Sequence, residues 1–157
     1  MAEPFRAEHA VRRASFRLAL PRDRAFQLFT PEGEKAWAPG WDPEYLHPAD
    51  GAAQAGMVFR TRIEGEETLW TLARLEPAMG AADYIRCTPA SRMAIVSVRC
   101  APVAPDCCDV TVTYEFTGLS EAGNAWVRSM DDARYAAFIG SWKAAIEAML
   151  ADQAART

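Results

Sequence analysis

The chain has 157 residues, of which 50% are hydrophobic and 24% are charged, so it can form one compact domain with a sizeable core. This composition excludes intrinsic disorder and a fibrous architecture. The net charge of −4 argues against nucleic acid as a partner, because neutralising phosphate groups requires a basic face.

The N-terminal third predicts one strand followed by two short helices. Residues 1–9 are expected to form a flexible arm, and the alternation of apolar and polar residues over Val11–Leu20 is typical of a half-buried strand. Pro21 fits the first turn of a helix with an apolar stripe behind it. Thr30, followed by proline, predicts the N-cap of a second brief helix that ends at Pro39-Gly40.

From Trp41 onward, short alternating runs separated by turn residues predict about six further strands in an antiparallel sheet. The clearest hairpin has Gly65-Glu66 as its two-residue turn. That register places Phe59, Trp70 and Arg74 on one face of the sheet. The strands expected here are Met57–Ile63, Thr68–Leu75, Asp83–Thr88, Arg92–Ala101 and Asp109–Thr117.

After Gly118, helical signals continue to the end of the chain. Ser120 can cap a short helix, and Ser129 with Asp132 resembles the start of a second, longer one that runs to Ala154. The long helix shows the strongest periodicity in the sequence, with an apolar face at i, i+3, i+4 and i+7 spacing. That face comprises Tyr135, Phe138, Ile139, Trp142, Ala145, Ile146, Met149 and Leu150.

The order of these elements predicts an α+β fold in which a curved antiparallel sheet of about seven strands wraps around the long C-terminal helix. The runs Trp37–Pro43, Gly56–Thr61, Thr68–Trp70 and Thr113–Ser120 then resemble the polyketide cyclase/dehydrase and lipid-transport group of the START-like (SRPBCC) superfamily. This resemblance implies the helix-grip fold and one START-like domain over residues 1–157. It also implies a deep apolar cavity between the sheet and the long helix.

Eight residues are predicted to contact a ligand in that cavity, because large aromatic side chains carry much of the binding energy of apolar pockets. Arg74 is the charged member, expected to pair with an anionic group or, alternatively, to extend into solvent. The set is Trp41, Tyr45, Phe59, Trp70, Arg74, Tyr114, Phe138 and Trp142. The other sheet arginines are expected on a solvated outer face: Arg60, Arg62, Arg86, Arg92 and Arg99.

No catalytic motif is present, since the chain has no GxSxG elbow, HExxH pair or phosphate-binding glycine loop. Catalytic residues are therefore unassigned. His47 would serve as a general base only if it turned inward, and Tyr45 or Tyr114 would orient a ligand carbonyl in a binding protein and in a cyclase alike.

The cysteines and histidines lack the spacing of a metal site, so neither a metal nor a tightly bound organic cofactor is expected. The adjacent Cys107 and Cys108 are either a reactive pair or, as we favour, two reduced thiols. No stretch is apolar enough to cross a bilayer and no signal-type segment is evident, so we expect a cytoplasmic protein without membrane insertion.

Three functions remain open from the sequence. The leading hypothesis is the binding of a small hydrophobic ligand, such as a lipid, a polyketide or an aromatic metabolite, inside the cavity. The alternatives are a cyclase- or dehydratase-like enzyme using that cavity without a metal, and a protein-interaction module resembling the chaperone-ATPase activators of the same superfamily. Assembly into a homodimer is compatible with each of them.

Overall fold

A computed structural model describes residues 3–157, and its elements follow the predicted order. Strand β1 (His9–Leu18) precedes two short helices, α1 (Arg22–Gln27) and α2 (Pro31–Glu34). The remaining elements are β2 (Glu44–His47), β3 (Val58–Ile63), β4 (Glu66–Glu76), β5 (Ala81–Thr88), β6 (Arg92–Ala104), β7 (Cys107–Gly118), α3 (Glu121–Ser129) and α4 (Asp132–Ala155), with a 3-10 turn at Pro77–Met79.

The strands form one antiparallel sheet in the order β1-β7-β6-β5-β4-β3-β2, with α4 against its concave face. Alternate residues of β7 are buried against the helices, as Val110 and Val112 show. The Tyr135 hydroxyl of α4 donates a hydrogen bond to the Val112 carbonyl at 2.8 Å. The predicted α+β architecture is therefore confirmed.

Side-chain caps define the beginnings of the helices. The Thr30 hydroxyl accepts a hydrogen bond from the Gly33 amide at 3.0 Å, and Ser120 caps α3 in the same way. Helix α4 begins after Asp131, not at Ser129 as predicted. Ser129 is the last residue of α3. Asp131 is the N-cap of α4, and its carboxylate accepts a hydrogen bond from the Arg134 amide at 2.9 Å.

The β3–β4 hairpin turns one residue earlier than predicted. Its turn is Glu64-Gly65, with φ values of 52° and 79°, and Ile63 pairs with Glu66. A type I′ turn needs positive φ at both central residues and favours glycine at the second, which corrects the assignment of Gly65 to the first position. The register moves by two residues, so Phe59 and Trp70 stay on the same face.

A β-bulge in β4 reverses the predicted orientation of Arg74. The register of β4 against β5 shifts between Leu72 and Arg74, which leaves Ala73 as the extra residue. Leu72 is fully buried, whereas Arg74 is exposed on the outside. There its guanidinium pairs with Glu76 at 2.8 Å and with Asp83 at 3.7 Å.

The N-terminal segment is held against α3 where it meets the sheet. The Glu8 amide donates to the Asn124 side chain at 2.8 Å, and the Asn124 amide group donates to the Arg6 carbonyl at 2.9 Å. The first two residues of the predicted arm, Met1 and Ala2, lie outside the described residues. Within residues 3–157, no helix is long and apolar enough to span a membrane.

Candidate functional site

A cavity of about 360 Å³ lies between the concave face of the sheet, the segment that follows α2 and the middle of α4. Exposed residues such as Pro39, Ile63 and Ser141 mark the side on which it reaches solvent, and Val96 and Val98 form its buried floor. Its lining consists of Glu34, Trp37, Ala38, Pro39, Trp41, Thr61, Ile63, Glu66, Thr68, Trp70, Tyr84, Arg86, Val96, Val98, Tyr114, Phe138, Ser141, Trp142 and Ala145.

Two tryptophans after α2 form one wall, and backbone hydrogen bonds hold both. The Trp37 indole donates to the Leu28 carbonyl at 2.8 Å, and the Trp41 indole donates to the Pro31 carbonyl at 2.8 Å. Each ring thus satisfies its only polar group with the chain that carries α2. The apolar faces of both rings remain available to the cavity.

Helix α4 and strand β7 supply the opposite wall. The ring of Trp142 lies 5.4 Å from that of Phe138, 5.6 Å from Trp37 and 6.5 Å from Tyr114, centroid to centroid. Tilted and edge-to-face contacts of this kind pack the rings directly against one another and order this side of the lining. Trp142 and Phe138 remain only partly buried.

Arg86 lies inside the cavity, which corrects its assignment to the solvated outer face. It pairs with Trp70 across β4 and β5, and its guanidinium lies 4.4 Å from the centroid of that ring. One of its terminal nitrogens donates to the Thr68 hydroxyl at 3.3 Å. The cavity therefore contains a fixed positive charge within a largely apolar lining.

Glu34, the last residue of α2, brings a carboxyl group to the same cavity. Burial raises the pKa of this carboxyl well above its ordinary value, and the positive charge of Arg86 opposes only part of that rise. Among residues 3–157, the Glu34 side chain forms neither a hydrogen bond nor an ion pair. An unpartnered carboxyl of this kind is available to a ligand.

Two tyrosines complete the polar part of the cavity. Burial is the main cause that raises the pKa of both, and the negative charge of Glu34 adds to the rise. The Tyr84 hydroxyl is committed to the Phe29 carbonyl, to which it donates at 2.7 Å. Tyr114 lies close enough to Arg86 for the guanidinium to counteract the rise in its pKa.

The structure brings five of the eight predicted site residues to the cavity: Trp41, Trp70, Tyr114, Phe138 and Trp142. Phe59 is fully buried behind them, stacked on Trp70 at 5.6 Å. Tyr45 lies beyond Phe59 and donates a hydrogen bond to the Glu32 carboxylate at 2.8 Å. Arg74 is on the outside of the molecule, as described above.

The structure also shows where Arg92 and His47 lie. Arg92 is buried, with 7% of its surface exposed, so it does not belong to the predicted outer face. Its guanidinium lies 3.6 Å from the Trp126 ring centroid and pairs with Glu66 at 2.8 Å, which makes it a structural ion pair next to the cavity. His47 is exposed at the end of β2 and does not turn inward.

Sequence reasoning missed Glu34 and Arg86 as site residues. The sequence does contain a signal for Arg86. Alternate residues of a strand share one face, so if Tyr84 of β5 faces inward, Arg86 and Thr88 must face inward too. For Glu34 no pattern was available, since a four-residue helix has too few positions to show a buried face.

The four cysteines are unpaired in this structure. Burial raises the pKa of the Cys100 thiol to about 12 and also raises that of Cys108. In the part of the chain that the structure describes, no three His, Cys, Asp or Glu side chains are grouped to hold a metal ion.

Comparison with known proteins identifies relatives by structure alone. No family model and no curated protein matches the sequence. Truncated norcoclaurine synthase from Thalictrum flavum has a TM-score of 0.69 at 12% identity, covering 95% of this chain and 98% of its own. The structure of Ara h 8.0201 has a TM-score of 0.65 at 14% identity, covering 92% of this chain and 99% of its own.

A bacterial enzyme, the ZhuI aromatase/cyclase from Streptomyces sp. R1128, matches with a TM-score of 0.54 at 19% identity over 72% of this chain and 69% of its own. Another norcoclaurine synthase structure from Thalictrum flavum holds dopamine and hydroxybenzaldehyde, at a TM-score of 0.64 and 15% identity over 90% of this chain and 88% of its own. At identities of 12 to 19%, these structures show a shared fold alone, and they confirm the predicted helix-grip architecture.

Proposed function

We propose that this protein binds a small aromatic or otherwise largely apolar molecule in the cavity between the sheet and α4. The observation that carries the proposal is a 360 Å³ cavity lined by aromatic side chains, two of which are oriented by hydrogen bonds to the backbone. Cavities of this size and composition are typical small-molecule sites. The neighbours that hold dopamine and hydroxybenzaldehyde, or that are aromatase/cyclases, support a ligand of this class.

The ligand we propose carries one electron-rich oxygen, as a carboxylate or a carbonyl. Arg86 is the donor for that oxygen, because its guanidinium is oriented by Trp70 and Thr68 but has no acidic partner within residues 3–157. A partly buried guanidinium that forms no ion pair has donors free for an oxygen ligand, and a hydrogen bond to a charged donor is a strong one. Arg86 takes the role that the sequence suggested for Arg74.

A second candidate function is an enzyme acting on the same ligand, which the unpartnered Glu34 carboxyl favours. An interior filled by side chains would favour the interaction-module hypothesis, whereas the cavity supports ligand binding. We also propose a cytoplasmic location, given four unpaired cysteines, and no nucleic-acid partner, given the net charge of −4.

A calorimetric titration with 2-naphthoate tests the binding proposal. Ala145→Trp places a large ring in the cavity lining and should abolish the heat of binding. Ala144→Trp is the matched control, since residue 144 is exposed on the same helix, and it should bind like the unmodified protein. Equal binding by both variants, or none by the unmodified protein, would contradict the proposal.

A further inference from the structure

We propose that Glu34 and Arg86 together catalyse enolisation, the removal and return of a proton on the carbon next to the carbonyl group of an aromatic ketone bound in the cavity. This inference rests on the proposed binding function, because the ketone must occupy the same cavity. It adds a reaction class and assigns two catalytic residues that sequence motifs did not indicate.

The geometry supplies a base and an oxyanion site on different sides of one cavity. Glu34 enters from the α2 side and Arg86 from β5, and they form no ion pair with each other. The Tyr84 hydrogen bond to Phe29 ties β5 to the chain just before α2. The two groups are thus carried by connected but separate elements, and both line the cavity in which the carbonyl group would bind.

The surrounding rings position the substrate for this reaction. Trp37, Trp41 and Trp142 present apolar surfaces that would hold a fused aromatic ring system by stacking. With the rings held there, the ketone oxygen is directed toward Arg86. The adjacent carbon then faces the carboxyl group on α2, as proton transfer requires.

Each proton and electron pair in the reaction is accounted for. The Glu34 carboxylate takes a proton from the carbon next to the carbonyl, and the electron pair of that C–H bond becomes the C=C bond of the enolate. The former carbonyl π pair moves to oxygen, where Arg86 donates hydrogen bonds to the developing negative charge. The protonated carboxyl returns a proton to carbon, so no oxidant, reductant or other reactant is consumed.

Proton exchange with solvent makes the reaction visible, because the cavity reaches solvent beside Pro39 and Ser141. The titratable groups of the sheet that share the cavity with Glu34 are Arg86, Tyr84, Tyr114 and Glu66, the last of which is paired with Arg92. Both tyrosines have raised pKa values and remain neutral at ordinary pH. A carboxyl whose pKa is raised is also a stronger base for an acidic carbon than an ordinary glutamate.

The test is the exchange of hydrogen for deuterium next to the carbonyl of 2-tetralone in D₂O, followed by proton NMR. We expect the protein to accelerate the exchange and Glu34→Gln to lower the enzymatic rate by about 100-fold or more while binding persists. Glu32→Gln is the matched control on the same helix, because its carboxylate lies outside the cavity and pairs with Lys35. That variant should retain the full rate.

The possible outcomes separate this inference from the binding proposal. Binding of 2-tetralone without acceleration, or unchanged exchange in Glu34→Gln, would overturn the catalytic inference and leave ligand binding standing. Failure of 2-tetralone and 2-naphthoate to bind would overturn both. The rate should also rise with pH as Glu34 loses its proton, and loss of this dependence in Glu34→Gln would distinguish catalysis from a structural effect.

Discussion

The Arg86 guanidinium lies over the Trp70 ring, 4.4 Å from its centroid, and the two residues are directly paired across strands β5 and β4. This contact holds a positive charge toward the cavity instead of letting it extend into solvent. Because Trp70 itself donates to the Thr61 hydroxyl at 3.0 Å, the ring beneath Arg86 is also held in place. The charge is therefore oriented before a ligand arrives.

Arg86→Met should weaken the binding of 2-naphthoate by about 1.5 to 3 kcal/mol, the usual contribution of a hydrogen bond to a charged group. Binding of the neutral 2-naphthamide should change much less. Arg74→Met is the control, since that residue is an exposed arginine on the outside of the molecule. Calorimetric titration with both probes measures the two binding free energies. An equal loss of binding free energy for the acid and the amide would refute the assigned role of Arg86.

Trp142→Ala should cost less than 3 kcal/mol of unfolding free energy, below the roughly 3 to 5 kcal/mol typical of a fully packed tryptophan. The reason is that part of this ring faces the cavity. Ile139→Ala, at a fully buried position on the same helix, should cost about 2 to 5 kcal/mol and leave the cavity lining intact. Urea denaturation measures both free energies of unfolding. A loss of more than about 3 kcal/mol for Trp142→Ala would assign that ring to the core.

Glu34→Gln should stabilise the protein increasingly as the pH rises. Burial raises the pKa of Glu34 in the folded state above its unfolded value, so the folded chain binds more protons and its stability falls with pH above the ordinary glutamate pKa. Glu34→Gln removes this loss of stability. The free energy of unfolding of the variant should therefore gain about 1.4 kcal/mol, relative to the unmodified protein, for each pH unit between the unfolded and folded pKa values of Glu34.

Denaturation curves of Glu34→Gln at pH 4 and pH 8 measure this difference. Glu32→Gln is expected to show no such gain, because hydrogen bonds from Lys35 and Tyr45 lower the pKa of Glu32. A gain of equal size at both pH values would show that the Glu34 carboxyl does not titrate differently in the folded state.

Thr30→Ala should destabilise the protein by about 1 kcal/mol, the usual cost of losing a helix N-cap. It should also weaken 2-naphthoate binding, since α2 and the segment after it carry Glu34 and Trp37. Thr30→Ser keeps the capping hydroxyl and should restore both properties. If Thr30→Ala lowers stability without affecting binding, the cap does not position the cavity wall.

The order and type of the elements could be predicted from the amino-acid sequence alone. Periodicity in β7 and in α4 identifies buried faces because each element is long enough for several residues to repeat the pattern. Caps such as Ser120 follow from local chemistry, a side-chain oxygen beside free backbone amides. Five of the eight predicted ligand contacts line the cavity, and four of them are large aromatic residues on strands or on α4.

Which charged residues face the cavity depends on contacts between elements that are distant in the chain. One bulged residue, Ala73, turns Arg74 outward, and local sequence gives no sign of it because the bulge depends on pairing with β5. The alternation of β5 places Arg86 on the same face as Tyr84, but only the contacts with Trp70 and Thr68 on the neighbouring strand show how the cavity accommodates this charge. Glu34 becomes a cavity residue only when α2 folds over the sheet, since its burial depends on residues distant in the chain.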